Sequence, residues 1–182
     1  MCDIEATFHQ VRVDECQRDL LRFLWWEDGD FSREPEEYRM AVHLFGATSS
    51  PGFANFALKS TANDYESEFG VAAADCLRND FYVDDGLKSV PSIDEAVTLI
   101  SDVKQMCKSG GFNLHKFVSN SKNVIRRIRE SDKADGVKEL DLDLDSLPLE
   151  RALDVQWCMS LTAFSLTSSY RTSHALEEEY FL

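Results

Sequence analysis

Two adjacent aspartates, Asp84 and Asp85, follow the apolar run Phe81-Tyr82-Val83. Aromatic and β-branched residues favour an extended backbone, so this run predicts a β-strand that ends in two carboxylates. Two carboxylates in contact repel each other by about 4 kcal/mol at an effective dielectric constant of about 20. Their position at the end of a strand is therefore typical of a site that binds a cation.

A third carboxylate, Asp3, lies near the start of another apolar run. Hard oxygen ligands suit Mg²⁺, and three of them predict a two-metal site of the type that catalyses phosphoryl and nucleotidyl transfer. In a straight strand Asp84 and Asp85 would point to opposite faces. We therefore expect a tight turn at this point, for which Asp85-Gly86 is a strong signal.

Composition indicates a globular chain without a membrane segment. It has 182 residues, 43% of them hydrophobic, which is enough for one domain with a proper core. The sequence contains no apolar run of about 18 residues and no signal peptide pattern, so we expect an intracellular, cytoplasmic protein. The five cysteines are scattered, and we interpret them as reduced, mostly buried thiols.

The charge distribution is uneven. A net charge of −14 counts against nucleic-acid binding, because such surfaces are normally basic. Residues 104–129 nevertheless carry seven Lys or Arg and no acid. The acidic balance is consistent with one piece of a larger protein whose basic parts lie elsewhere.

Strands and helices alternate along the sequence. The order predicts an α+β fold with a mostly antiparallel sheet, covered by helices on one face and with the carboxylates on the other. Residues 131–149 are acidic, and we expect a loop or a weak helix there. Residues 153–157 predict a further short strand. The apolar periodicity predicts the main strands at 3–13, 20–26, 38–45, 81–90 and 112–118, and helices at 50–68, 71–77 and 93–109.

Five segments, taken together, resemble the reverse transcriptases of BEL/Pao-type LTR retrotransposons. Three of them are similar to motifs A, B and C of that family, in the family's order and spacing. Two more, LRFLWW and GFNLHK, resemble flanking segments of the BEL/Pao group. The segments are residues 3–11 (motif A), 44–51 (motif B), 82–85 (YVDD, motif C), 21–26 and 111–116.

The resemblance implies a polymerase palm and a set of catalytic roles. Asp3 and Asp84 would bridge two Mg²⁺ ions, with Mn²⁺ as a substitute, and Asp85 would complete the site. Lys116 matches the motif D lysine, which would stabilise or protonate the departing pyrophosphate. His9 and His115 are not predicted ligands, because imidazole is a poor match for Mg²⁺.

The resemblance also implies a nucleotide-binding set. Phe8 lies where the family places an aromatic steric gate that favours dNTP over NTP. Phe45 stands where many retroviral enzymes carry a glutamine that contacts the incoming nucleotide. Gly46, Ser50 and Pro51 would line the nascent base pair from the side.

By the same resemblance, the chain is expected to be a palm fragment. The palm would cover residues 1–130 without fingers, followed by an acidic linker at 131–151, a partial motif E-like segment at 152–166 and a divergent tail at 167–182. The whole enzyme would bind an RNA or DNA template-primer and dNTP, and would contain fingers, thumb and RNase H regions. Without them, we expect the isolated chain to be inactive.

Three functions therefore remain open. The first is a palm fragment of an RNA-directed DNA polymerase that uses two Mg²⁺ ions. The second is a catalytically inactive retrotransposon remnant with no enzymatic role. The third is another palm-type enzyme, a nucleotide cyclase, although that activity gives no reason for the motif B segment or the spacing of Phe8 from Asp3.

Overall fold

The computed structural model describes residues 1–138, 140 and 142, and the backbone of 149–152, 155–158 and 163–165. The fold is α+β, as the sequence predicts. The strands are β1 (Cys2–Ile4), β2 (Arg22–Trp25), β3 (Glu36–Arg39), β4 (Phe81–Tyr82), β5 (Asp85–Gly86), β6 (Leu114–His115), β7 (Leu149–Ala152), β8 (Val155–Cys158) and β9 (Ala163–Ser165). The helices are α1 (Ser50–Phe69), α2 (Val71–Asn79), α3 (Ile93–Ser109), α4 (Lys122–Arg127) and α5 (Asp135–Lys138). Short 3-10 helices cover Thr7–Gln10, Glu15–Leu21, Glu27–Gly29 and Glu130–Asp132.

The strands form three antiparallel sheets. The central one has four strands in the order β4-β5-β1-β6, while β2 pairs with β3 and β8 lies between β7 and β9. β7 begins inside the stretch predicted as an acidic linker, and β8 corresponds to the strand predicted at 153–157. The divergent tail predicted at 167–182 lies outside the described residues.

The helices cover one face of the central sheet. Cys2 and Ile4 in β1 are buried in the main core, whereas Asp3 between them is only half-buried. This alternation follows from the two-residue period of a strand, which sends neighbouring side chains to opposite faces. The helical side of the core comprises Leu58, Ala62, Ala73, Ala74, Leu77, Val103, Met106 and Cys107.

The helix boundaries match the sequence signals closely. Pro51 lies in the first turn of α1, and Gly70, with φ of +90°, ends that helix and precedes α2. At the start of α3 the Ser92 hydroxyl accepts a hydrogen bond from the Glu95 N–H at 3.3 Å. This hydrogen bond caps the helix and fixes the position at which α3 begins. No helix in the described part of the chain is long and apolar enough to cross a membrane.

The strands are shorter than predicted, and two of them, β1 and β3, begin earlier. The second hairpin strand is Glu36–Arg39 rather than 38–45, because residues 41–43 pair with 11–13 instead of β2. The Val13 N–H donates to the Ala41 carbonyl at 2.9 Å, and the His43 N–H to the Val11 carbonyl at 3.0 Å. Alternating hydrophobicity cannot distinguish between two such partners.

The turn between the aspartates is also displaced from its predicted position. Val83 and Asp84 form the two-residue loop, while Asp85 and Gly86 belong to β5. Gly86 has a packing role here: a Cβ at this residue would lie 2.6 Å from the Phe81 ring and 2.9 Å from the Cys2 sulfur. The glycine therefore permits close packing between strands rather than forming the turn.

We predict that Gly86→Ala destabilises the fold by about 1–3 kcal/mol, because the added methyl overpacks the Phe81–Cys2 contact. Chemical denaturation followed by circular dichroism measures the change. Gly52→Ala is the matched control, since a Cβ there meets no atom within 4 Å. Equal stability of Gly86→Ala and wild type would show that the strands move apart without cost.

The buried thiols predict a loss of stability at alkaline pH. Burial raises the pKa of Cys2 to about 12 and that of Cys76 to about 11, from an ordinary value of 9.0. The folded state therefore keeps protons that the unfolded state releases, and stability falls as the pH rises from about 9 towards 12. Each thiol contributes at most about 1.4 kcal/mol per pH unit in that window.

Urea denaturation at a series of pH values between about 8 and 10 tests this dependence. Cys76→Ala is expected to reduce the slope of unfolding free energy against pH. Cys16→Ala, which removes an exposed thiol, is expected to change the slope less. The same slope in Cys76→Ala as in wild type would contradict the prediction.

Candidate active site

A cavity of about 380 Å³ opens beside the end of β1, on the face where Asp3 lies. Five of the residues predicted from sequence line it, and they come from four separate segments of the chain. Asp85, Gly46, Ser50 and Pro51 are not among the lining residues. The lining consists of Asp3, Ile4, Glu5, Ala6, Thr7, Phe8, His9, Phe45, Asp84, His115 and Lys116.

The register of the central sheet places Asp3 in the middle of a polar row. Asp3 lies opposite Asp85 on one side and opposite His115 on the other, and Asp85 lies opposite Tyr82. Directly opposed residues of antiparallel strands share one face of the sheet. The row therefore runs Tyr82, Asp85, Asp3, His115 across all four strands.

Two potential cations contact the Asp3 carboxylate. The His115 Nε2 lies 2.8 Å from Oδ1, and the Lys116 Nζ lies 3.8 Å from Oδ2. At 3.8 Å the contact between Lys116 and Asp3 is an ion pair and is too long for a hydrogen bond. His115 was not predicted as part of the site, and 112 residues separate it from Asp3.

Asp84 reaches the cavity because β1 holds the turn that carries it. The Ile4 N–H donates to the Asp84 carbonyl at 2.9 Å, which continues the β1–β5 ladder into the turn. Val83, the first central residue of the turn, has φ of +58°. A positive φ at that position alone is the pattern of a type II′ turn, which favours glycine there.

Backbone strain is concentrated around the cavity. Of the four non-glycine residues with positive φ in the described part of the chain, Ala6 (47°) and Lys116 (51°) line the cavity and Val83 precedes Asp84. This conformation costs an L-residue about 1–2 kcal/mol. Strained backbone that persists at several points around one cavity is typical of functional sites.

Two phenylalanines form the apolar wall of the cavity. The Phe8 and Phe45 ring centroids are 6.1 Å apart, with an angle of 47° between the rings. Phe45 is 87% exposed, and Phe8 is half-buried. The buried Thr7 hydroxyl donates to the Ile4 carbonyl at 2.9 Å, and so fixes the loop that carries Phe8 directly after β1.

A second network attaches that loop to β6. The Asn113 N–H donates to the Gln10 side-chain oxygen at 2.9 Å, and the Asn113 side-chain amide donates to a Glu5 carboxylate oxygen at 2.5 Å. The Glu5 N–H in turn donates to the Asn113 carbonyl at 2.9 Å. Sequence reasoning missed these residues, because no local pattern indicates contacts between residues more than 100 positions apart.

Of the motif B residues predicted to bind the nucleotide, Phe45 lines the cavity, whereas Gly46, Ser50 and Pro51 do not. Gly46 is exposed with φ of +85°, and Pro51 is exposed in the first turn of α1. Ser50 is fully buried, and its hydroxyl has no hydrogen-bond partner among the described residues. The predicted nucleotide contacts of Gly46, Ser50 and Pro51 therefore stay predictions.

The cavity contains acceptable ligands for a hard cation, but not a complete cage. In the portion of the chain that the structure describes, no three His, Cys, Asp or Glu side chains are grouped as metal ligands. Mg²⁺ commonly binds through one or two carboxylates, with water and substrate phosphates as its other ligands. Asp3 and Asp84 fit that requirement. Asp85 lies directly opposite Asp3 on the neighbouring strand.

We predict that Val83→Gly stabilises the chain by about 1 kcal/mol, because glycine adopts the positive φ of the turn without steric cost. Val83→Ala is the matched comparison, since it removes the same side-chain branches but keeps the Cβ that causes the strain. Thermal denaturation of the two variants gives the difference. A less stable Val83→Gly than Val83→Ala would show that the turn is unstrained.

Comparison with known proteins assigns no function. No protein-family model matches the chain, and no curated protein matches it. Function is therefore inferred from the chemistry of the cavity and from the motifs that surround it.

Proposed function

We propose that this chain is the palm of an RNA-directed DNA polymerase, and that its cavity binds the incoming dNTP beside the primer end. The observation that carries the proposal is the convergence of Asp3, Phe8, Phe45, Asp84 and Lys116 on one cavity. These residues were selected for their motifs in segments far apart in the sequence.

The carboxylates would supply the metal ligands. Asp3 and Asp84 would hold Mg²⁺ together with the triphosphate, and Asp85 would complete the site from β5. The bound metal would lower the pKa of the primer 3′-hydroxyl and stabilise charge on the α-phosphate and the leaving group. The four-strand register keeps the carboxylates in place before substrate arrives, which reduces the ordering needed on binding.

Lys116 would act on the leaving pyrophosphate. Its side chain is about half exposed (52%) and its Nζ lies 3.8 Å from Asp3, so it can turn towards a polyphosphate in the same cavity. A cation at this position offsets the charge that develops on the pyrophosphate as the bond to the α-phosphate breaks. Lys116, the residue that follows β6, has a positive φ and lines the cavity.

The aromatic wall would select the sugar. Phe8 is half-buried and is held by a loop that hydrogen bonds to both β1 and β6. A ring at this position would crowd a 2′-hydroxyl, whereas it would leave room for a deoxyribose. RNA or DNA template-primer would be bound mainly by the fingers, thumb and RNase H regions that the family resemblance implies.

Metal binding provides the first test, because it requires no other part of an enzyme. Mn²⁺, which has an electron spin resonance signal, is titrated into the chain in the presence of dNTP. We expect Asp3→Asn and Asp84→Asn each to weaken Mn²⁺ binding by about tenfold or more. Asp64→Asn, which alters an exposed acid on α1, is expected to bind Mn²⁺ like the wild type.

Equal Mn²⁺ binding by Asp84→Asn and Asp64→Asn would mean that the acidic surface, and not the cavity, attracts the ion. That result would remove the metal assignment. The strained backbone around the cavity would then need an explanation other than metal binding.

Primer extension on an RNA template tests the activity itself. We expect incorporation of dNTP when the fingers and thumb of a reverse transcriptase are fused to the chain, and loss of incorporation in Asp84→Asn of the same fusion. No incorporation by the fusion would support the inactive remnant. Conversion of NTP without primer would support a nucleotide cyclase.

In the active fusion, Phe8→Ala is expected to change sugar selection. The smaller side chain leaves room for a 2′-hydroxyl, so the preference for dNTP over NTP should fall by about tenfold or more. Competition between the two nucleotides in primer extension measures the ratio. Phe53→Ala, on the exposed side of α1, is the control and should keep the wild-type ratio.

A further inference from the structure

The β2–β3 hairpin has two chemically different faces. The register pairs Phe23 with Tyr38 and Trp25 with Glu36, which places the aromatic residues of the two strands on one face. Trp26 and Phe31, in the connection between the strands, add to this surface. Trp26 contacts Trp25 and Phe31 at centroid distances of 6.1 and 4.8 Å. We call the set Phe23, Trp25, Trp26, Phe31 and Tyr38 the aromatic face.

The opposite face is adapted to solvent. The Arg22 guanidinium lies 2.8 Å from Glu37 and 3.1 Å from Asp19, and Arg39 lies 2.7 Å from Asp19. The arginines and the acids on that side of the hairpin are therefore paired with each other. The hairpin is therefore amphipathic, with ion pairs on its polar face beside one exposed apolar residue, Leu24.

Three large side chains of the aromatic face are exposed, because the described residues do not cover them. Phe23 is 40% exposed, Trp25 51% and Phe31 71%. The Phe23 and Tyr38 rings stack with their centroids 5.8 Å apart and 27° between the rings, and we call this pair the platform. Contiguous exposed aromatic surface of this kind marks interaction sites, and a two-stranded sheet alone is only marginally stable in water.

Carboxylates surround the platform. Burial raises the pKa of the Tyr38 hydroxyl, and so do the charges of Glu36, Glu27 and Asp28. Arg33 pairs with Glu27 at 2.9 Å, whereas Asp28 and Glu36 make no ion pair with the described residues. Residues 14–37 contain nine acids and three arginines, so the local field is negative.

We propose that the aromatic face docks a basic, partly apolar polypeptide segment of a partner protein. Arginine or lysine side chains would lie on the Phe23–Tyr38 platform and on Trp25, and would pair with Glu36 and Asp28. Aromatic rings attract cations through their faces, and guanidinium groups stack on them while binding carboxylates. Apolar residues of the partner would cover Trp26 and Phe31.

The same chemistry excludes other partners. Nucleic acids and anionic membranes carry phosphates, which the surrounding carboxylates repel. An uncharged apolar partner would leave Asp28 and Glu36 desolvated without compensation. This site is separate from the cavity, and the proposal does not depend on polymerase activity.

The test uses the full chain and a short fluorescein-labelled peptide of repeating Arg-Leu-Ser, with Glu-Leu-Ser as the acidic counterpart. Fluorescence anisotropy measures binding. We expect the wild type to bind the Arg-Leu-Ser peptide, more weakly as salt increases, and not to bind the Glu-Leu-Ser peptide. No binding of the Arg-Leu-Ser peptide would overturn the proposal.

Two variants locate the site, and each has a matched control. Trp25→Ser and Glu36→Lys are expected to weaken peptide binding by about tenfold or more. Phe56→Ser removes an exposed ring (72%) from α1, and Asp64→Lys reverses an exposed charge on the same helix. These two controls should bind the peptide like the wild type, and equal losses in them would show non-specific attraction to an acidic protein.

Glu36→Lys keeps the test valid if Trp25→Ser unfolds the hairpin, because it leaves the aromatic residues in place. Circular dichroism verifies the fold of each variant. Binding of single-stranded RNA or phosphatidylserine vesicles that Trp25→Ser abolishes would overturn the proposed partner class. Wild-type dimers that Trp25→Ser dissociates would identify a second copy of this chain as the occupant and would also overturn it.

Discussion

The antiparallel register of β1 between β5 and β6 is the constraint on which the rest of the structure depends. It places Asp3 opposite both Asp85 and His115 while Cys2 and Ile4 on either side enter the core. A slip of one residue would bury Asp3 and expose the two core residues. The cavity, the polar row and the contact of helices with the sheet therefore follow from one pairing.

The three longest helices were the most predictable part of the fold, because their ends carry local chemical signals, whereas α4 and α5 were not predicted. The N-terminal signal at Ser92 and the break at Gly70 place α3 and the α1–α2 boundary within about two residues. Strand lengths were not predictable in the same way. Residues 41–43 continue the alternating hydrophobicity expected for a hairpin strand, but they pair with residues 11–13. This pairing depends on the tertiary structure and not on the local sequence.

Motif chemistry predicted part of the cavity lining, but it also marked Asp85, Gly46, Ser50 and Pro51, which do not line the cavity. It gave no indication of residues that a distant partner defines. The sequence identified Asp3, Asp84, Phe8, Phe45 and Lys116, which line one cavity. His115 and Asn113 act through contacts to residues more than 100 positions away, so no local spacing indicates them. Gly86 was expected in the turn for its flexibility, yet it is needed because Phe81 and Cys2 leave no room for a Cβ.

The charges around Asp3 bear on the proposed chemistry. The chain is strongly acidic, with a net charge of −14, yet His115 and Lys116 both contact Asp3. The Lys116 ammonium offsets part of the repulsion between Asp3 and Asp85, which lie opposite each other in the β1–β5 pair. A divalent cation bound by Asp3 and Asp84 would take over that task and leave Lys116 free for a polyphosphate. Cation and triphosphate should therefore bind with positive coupling, since each supplies charge that the other requires.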